Sequence, residues 1–231
     1  MKLLLSLLTL FPILLSAQSD DSTTPTRVTC IGDSITARGY PAQLEQALGK
    51  EWRVTNCGKG GAKILSEYPL TYTDLKVYQK ALTSTPDYVI IMLGVNDANP
   101  KFWNDSTRQQ QHPAEFKQRY IDLIHSMQAL ESKPQIIVAI PLPVVPENLA
   151  PGRLRIEREG RQNNLNKDII PLIKQIAEQE EVTLIDMQSL MEPLAAAHTP
   201  DGVHYTKEGS KLFTTFFKEA ILKLEAQKDA E

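Results

Sequence analysis

The sequence is poor in cysteine: Cys30 and Cys57 are the only two in 231 residues, too few for a disulfide scaffold. An excess of either charge is also missing. Lysine and arginine total 25, aspartate and glutamate 28, and the formal net charge is -3, so no broad basic surface is offered to nucleic acid or to an anionic membrane. A small neutral or weakly charged substrate suits that balance better. No membrane-spanning run is present: the apolar stretch at residues 3–15 falls short of the roughly 20 residues a transmembrane helix needs. The lack of internal repeats, heptads and low-complexity tracts excludes solenoids, coiled coils and disordered linkers. No metal-ligand cluster stands out, and nothing specifies an oligomeric state.

What is there begins with Lys2, the apolar stretch, and the small residues Ser16 and Ala17, the layout of a secretory signal peptide cleaved after Ala17. No cysteine follows that stretch, so a lipid anchor is not suggested. The expected organisation is a signal peptide at 1–17, a loose leader at 18–26 and a single domain at 27–228, exported to the periplasm or the medium. In an oxidising compartment Cys30 and Cys57 could bridge if their strands are neighbours; each also suits the role of a small buried hydrophobe.

Within the domain, short β-branched runs alternate with helical patterns. The runs are RVTCIG (27–32), WRVTNC (52–57), YVIIMLG (88–94), QIIVAI (135–140) and VTLIDM (182–187), the third and fourth almost wholly apolar, as doubly covered parallel strands are. Pro41 can open the first helix and Gly49 close it, and helical spacing predicts further helices over 113–130, 163–179 and 207–224. This predicts right-handed βαβ units: an α/β fold with a mainly five-stranded parallel sheet between two helix layers. Residues 141–161, proline-rich and then strongly charged (GRLRIEREGR), are expected to form a long polar loop at the rim.

In such a sheet, ligands bind beyond the carboxyl ends of the strands. The first strand is followed there by Gly32-Asp33-Ser34, the second by NCGKGGA (56–62) and the third by GVNDA (94–98), while DGVHYTKEG (201–209) precedes the last helix. Singly, each is also what a turn prefers. Together they supply a complete chemistry. A serine hydroxyl becomes a nucleophile only when an imidazole takes its proton, and the imidazole needs a third group to hold its tautomer. His204 is the candidate base for Ser34, with Asp201 three residues before it; His112, His125 and His198 read as structural or exposed. The backbone N–H of Ser34, the glycine-rich turn and the Asn96 amide are candidate donors to a developing oxyanion.

In this order the four blocks resemble the GDSL or SGNH hydrolase superfamily, esterases named for Ser, Gly, Asn and His. GDSIT matches the first block, Asn56-x-Gly58-x-x-Gly61 the second, Gly94-x-Asn96-Asp97 the third and Asp201-x-x-His204 the fourth, covering nearly all of the expected mature chain. The resemblance implies a flavodoxin-like three-layer sandwich, Ser34 as nucleophile, His204 as base and then acid, Asp201 as orienting carboxylate, and Ser34, Gly61 and Asn96 as oxyanion donors, with Gly60 leaving the glycine open by one residue. It implies no metal or cofactor. The expected function is hydrolysis of short, acetyl-type esters on a small molecule or carbohydrate, with Asp33 and Trp103 as substrate contacts, Trp103 being able to stack on a sugar. The alternatives are a lysophospholipase or thioesterase acting on longer chains, and a carbohydrate-binding protein without catalysis on the same scaffold.

Overall fold

Residues 24–228 are described by a computed structural model, so the expected signal peptide and residues 18–23 of the leader lie outside the described residues. Five strands, β1 (Thr26–Gly32), β2 (Trp52–Gly58), β3 (Tyr88–Met92), β4 (Gln135–Ala139) and β5 (Thr183–Ile185), form one all-parallel sheet in the order β2-β1-β3-β4-β5. β1 starts at Thr26 and so takes in the last residue of the expected leader. The helices are α1 (Ser34–Ala37), α2 (Tyr40–Leu48), α3 (Lys76–Leu82), α4 (Pro100–Trp103), α5 (His112–Gln128), α6 (Arg153–Asn164), α7 (Ile170–Gln179), α8 (Met187–His198) and α9 (Lys207–Lys228).

Successive strand residues point to opposite faces, so each strand serves two cores. On one face Val28, Cys30, Ile90 and Ile137 meet Tyr40 and Leu44 of α2, Met191 of α8, and Phe213 and Phe217 of α9. On the other, Ile31, Cys57, Ile91 and Val138 meet Ala81 of α3, Phe116 and Ile124 of α5, and Ile173 of α7. Each such fully buried aliphatic or aromatic side chain contributes about 1.5–3 kcal/mol of transfer free energy. The three-layer α/β sandwich is therefore the expected one. The strand order also creates a switch point: the chain leaves β1 toward β2, then crosses back to β3 on the other side of β1. Connections diverge there and open a crevice at the carboxyl ends of β1 and β3.

One expectation changes, and one open alternative closes. The charged stretch expected as loop at 153–161 is helical, because its charges sit one turn apart: Arg155 Nε donates to Glu159 at 2.9 Å and Arg161 Nε to Glu157 at 2.8 Å, pairs that each favour helix by a few tenths of a kcal/mol. α6 continues through a π-helical turn (Leu165–Ile169) into α7, whose second residue is Pro171. Proline offers no N–H to the helical ladder, and the wider turn just before it is where that ladder is already relaxed. Second, the cysteines are both free although β1 and β2 are neighbours. Cys30 is paired in register with Asn56, and Cys57 with Ile31, which puts the two thiols on opposite faces of the sheet. Burial pushes Cys30 up to about 12 and Cys57 up to about 11, so both stay as protonated thiols packed in the core.

Candidate active site

At the end of β1, Asp33 caps α1: its Oδ1 accepts the Ile35 N–H at 2.9 Å. The cap sets Ser34 at the first position of α1, half-buried, above the carboxyl end of β1. The loop after β2 is tied to the same helix by Asn56, whose Nδ2 donates to Thr36 O at 3.1 Å and whose Oδ1 accepts the Gly58 N–H at 2.9 Å. That approach needs glycine at 58, since a Cβ there would lie 2.3 Å from Ala37 N. Gly61 has φ +78, a left-handed conformation that glycine adopts without steric cost, and the buried Lys63 donates from Nζ to Gly61 O at 3.1 Å. The turn after β3 is joined to this loop by Asp97, whose Oδ1 accepts the N–H groups of Ile64 and Leu65 at 2.9 and 2.8 Å.

The loop before α9 closes the group. Ser34 Oγ lies 2.9 Å from His204 Nε2, and His204 Nδ1 lies 2.6 Å from Asp201 Oδ2. The other oxygen, Asp201 Oδ1, accepts the N–H groups of Val203 and His204 at 3.0 and 2.7 Å. Burial alone would raise the Asp201 carboxyl. The bonds from the His204 side chain and from the two backbone N–H groups outweigh it and hold Asp201 down at about 2. An ionised carboxylate at Nδ1 keeps that nitrogen protonated, leaving the Nε2 lone pair facing the serine hydroxyl, an arrangement able to draw a proton from Ser34. Gly202, between Asp201 and His204, accepts the Val145 N–H at 2.8 Å, so the loop after β4 braces this one.

Asn96 lies in the turn that follows β3. Its Nδ2 donates to Ala62 O at 3.1 Å, and its second Nδ2 hydrogen has no acceptor among the described residues. The same holds for the backbone N–H groups of Ser34, Gly60 and Gly61. The structure thus brings Ser34, Gly61, Asn96, Asp201 and His204 to one rim.

It does not bring Asp33 and Trp103 there as substrate contacts. Asp33 is 2% exposed and spends its carboxylate on the helix cap. Trp103 is 3% exposed, donates Nε1 to Asp168 Oδ2 at 2.8 Å and packs edge-on to Phe116, so no ring face is open to a sugar. The signal that both are internal is tertiary: Trp103 is covered because α4 packs under α6. His112 is structural, as expected, with Nδ1 at 3.0 Å from Trp103 O. Sequence reading missed Arg161, which sat in an expected loop and is 6% exposed here; the i,i+4 spacing of Glu157 and Arg161 was the available sign.

Burial pushes Asp33 up to about 7 against the lowering effects of the Ile35 N–H and the Arg161 charge. A carboxyl raised in the fold contributes stability that is complete below its ordinary range and is lost as pH rises through about 7. Asp33→Asn keeps an accepting oxygen for the cap and removes the titration. We expect its Tm to match the wild type at about pH 3.5, where Asp33 is protonated in the folded and the unfolded chain alike, and to exceed it increasingly up to about pH 8, read by thermal melts across that range; a wild type as stable as the variant at the higher pH would show that Asp33 is not raised.

The sequence profile of the GDSL-like lipase/acylhydrolase family matches residues 30–212. An acetylxylan esterase of Xylanibacter ruminicola is 27% identical over 221 residues, an alignment that takes in 84% of this chain and 43% of that protein. The chain therefore spans less than half the length of this curated relative. Among solved structures, the M. smegmatis aryl esterase superposes with a TM-score of 0.65 at 18% identity, over 86% of this chain and 99% of that one. A carbohydrate acetylesterase family member from Sinorhizobium meliloti gives 0.65 at 20%, over 85% and 97%. A catalytic mutant of an acetylxylan esterase from Geobacillus stearothermophilus gives 0.61 at 22%, over 83% and 92%. At these identities the three establish a shared fold.

Proposed function

The chain belongs to the GDSL-like lipase/acylhydrolase family, and from that premise we propose that it is a serine esterase removing short acyl groups, acetyl foremost, from a carbohydrate or a similar hydroxyl-rich alcohol. The observation that carries this reading is the continuous Ser34–His204–Asp201 hydrogen-bond chain. Ser34 Oγ attacks the acyl carbon as His204 Nε2 takes its proton. The N–H groups of Ser34 and Gly61 and the Asn96 amide receive the charge that develops on the carbonyl oxygen. The ester C–O bond then breaks, His204 returns the proton to the leaving alcohol, and water attacks the acyl-enzyme by the same route in reverse order to release the acid.

A carbohydrate as the alcohol is supported by a cavity near the loop that carries Asp201 and His204. The cavity, of about 460 Å³, is bounded by residues 143–147 and lined from α6 and α8 by Glu159, Gln162, Gln188 and Glu192; Ser34, Asp201 and His204 do not line it, and it adjoins their loop through Val145, whose N–H donates to Gly202 O. Amides and carboxylates suit hydroxyl groups and are a poor lining for a fatty chain. The acetylxylan and carbohydrate acetylesterases among the similar proteins point the same way.

The test is kcat/KM for nitrophenyl esters of rising chain length, beside acetylated oligosaccharides. We expect a steep fall from acetyl to octanoyl and release of acetate from the oligosaccharides. A rise toward octanoyl would replace this reading with a lysophospholipase or thioesterase. Oligosaccharide binding with no ester turned over would leave a binding protein.

A further inference from the structure

A guanidinium is buried directly behind Asn96. Arg161, in the last turn of α6, donates from Nη1 to Asn96 Oδ1 at 3.2 Å and to Val95 O at 3.1 Å, while its Nε donates to Glu157 Oε1 at 2.8 Å and its Nη2 pairs with the same oxygen. Taking an arginine out of water is costly unless its hydrogens are met, and here three acceptors from two elements meet them. The carboxylate of Glu157 compensates the charge within the helix. What the contact with Asn96 adds is not needed for that compensation.

The consequence for Asn96 follows from donor and acceptor inventories. A guanidinium only donates and a carbonyl only accepts, whereas an amide has a different end for each. Oδ1 faces Arg161 and Nδ2 faces Ala62 O at 3.1 Å. Turning the amide over would set Nδ2 against the guanidinium and Oδ1 against the Ala62 carbonyl, two repulsive contacts in place of two bonds. Only one orientation is satisfied, and it is the one that leaves an Nδ2 hydrogen for a third acceptor. Without Arg161 the amide loses one of the two partners that discriminate its ends, and its orientation is left to the Ala62 carbonyl alone.

We propose that Arg161 is a positioning residue for ester hydrolysis: it holds the Asn96 amide so that an Nδ2 hydrogen is presented to the oxyanion, and its fixed positive charge behind the amide favours that donation. The proposal rests on the serine esterase reading above. Because Arg161 acts through Asn96, its effect belongs to the transition state and should disappear once Asn96 is gone.

The experiment is a double-mutant cycle on an aryl acetate with Arg161→Met, Asn96→Ala and the double variant, and with Arg161→Lys, which keeps the charge and one donor. Removing an oxyanion donor costs about 10²–10³ in kcat. We expect Asn96→Ala to fall in that range, Arg161→Met to lose roughly 100-fold in kcat with KM moved less than about threefold, and the double variant to be within about twofold of Asn96→Ala alone. Arg161→Lys should recover part of the loss, and it carries the same cycle if Arg161→Met does not fold. Losses that multiply in the double variant, or a change in Tm with kcat untouched, would reduce Arg161 to a structural residue. Ser34→Ala separates the two levels: if it retains the wild-type rate the esterase reading falls and this proposal with it, whereas an inactive Ser34→Ala beside multiplying losses overturns only the role of Arg161.

Discussion

Ser34→Ala and His204→Ala are each expected to lower kcat by about a millionfold, and the double variant to be no slower than either, since nucleophile and base act as one unit. The loss arises because an alanine at 34 has no oxygen to attack the acyl carbon, and a serine without the imidazole at 2.9 Å keeps its proton and remains a weak nucleophile. Ser34 is half-buried at the first position of a short helix, where alanine is accommodated, so the Ser34 variant should melt within a few degrees of the wild type. The measurement is kcat on an aryl acetate, paired with a melting curve to establish that the protein is folded. A Ser34→Ala protein retaining more than a few per cent of activity would remove Ser34 from the nucleophile position.

Asp201→Asn is expected to cost about 10⁴ in kcat, the scale seen when a triad carboxylate becomes an amide with geometry intact. The two oxygens of Asp201 have separate duties: Oδ2 accepts from His204 Nδ1 and Oδ1 accepts two backbone N–H groups. An asparagine can serve only one duty with its oxygen. If that oxygen stays with the backbone, the NH₂ group faces Nδ1, which must become the acceptor, and the Nε2–H then points at Ser34 and cannot take its proton. If the oxygen turns to His204, the NH₂ group opposes two N–H donors and the loop loosens. The first route removes the base, and the second displaces it from Ser34. The carboxyl is held at about 2 in the fold, so its contribution to stability is present above the ordinary carboxylate range and is lost as pH falls toward about 2. Asp201→Asn should accordingly melt below the wild type at neutral pH, with the gap closing in acid. A kcat reduced less than tenfold would take Asp201 out of the chain of proton handling.

The parts of this molecule that were legible in one dimension are those whose cause is local. The apolar runs at 88–94 and 135–140 read as doubly covered strands, and in β3 and β4 within them every residue but Gln135 is buried. Gly49 ends α2 as the helix signals said it would. Ser34, Gly61 and Asn96 are legible because turn chemistry and reactive side chains occupy segments that follow strands, which a parallel sheet gathers on one rim; Asp201 and His204, between α8 and α9, are legible through their own spacing before the last helix. α6 reads as loop in one dimension because its charges are solvent-loving, while its helical state depends on pairing one turn apart and on the burial of Arg161. α8 gives no clear helical signal in the sequence; it carries Pro193 inside it, and its buried face is Met187, Met191 and Ala195.

By itself, then, the sequence determined the five strands in their order along the chain, the layered α/β class, and which residues have the chemistry to act on an ester. Those properties are set by side-chain type and by periods of two or a few residues. Only the tertiary structure decided which face or depth each residue occupies. Strand register sends Cys30 and Cys57 to opposite cores. Packing of α6 over α4 hides Trp103, and the cap on α1 turns Asp33 inward. The same placement of α6 sets Arg161 against Asn96, 65 residues away in the chain. Such contacts depend on register and on helix packing between distant segments, and a charged or aromatic residue has the same local pattern whether it ends in solvent or behind an active site.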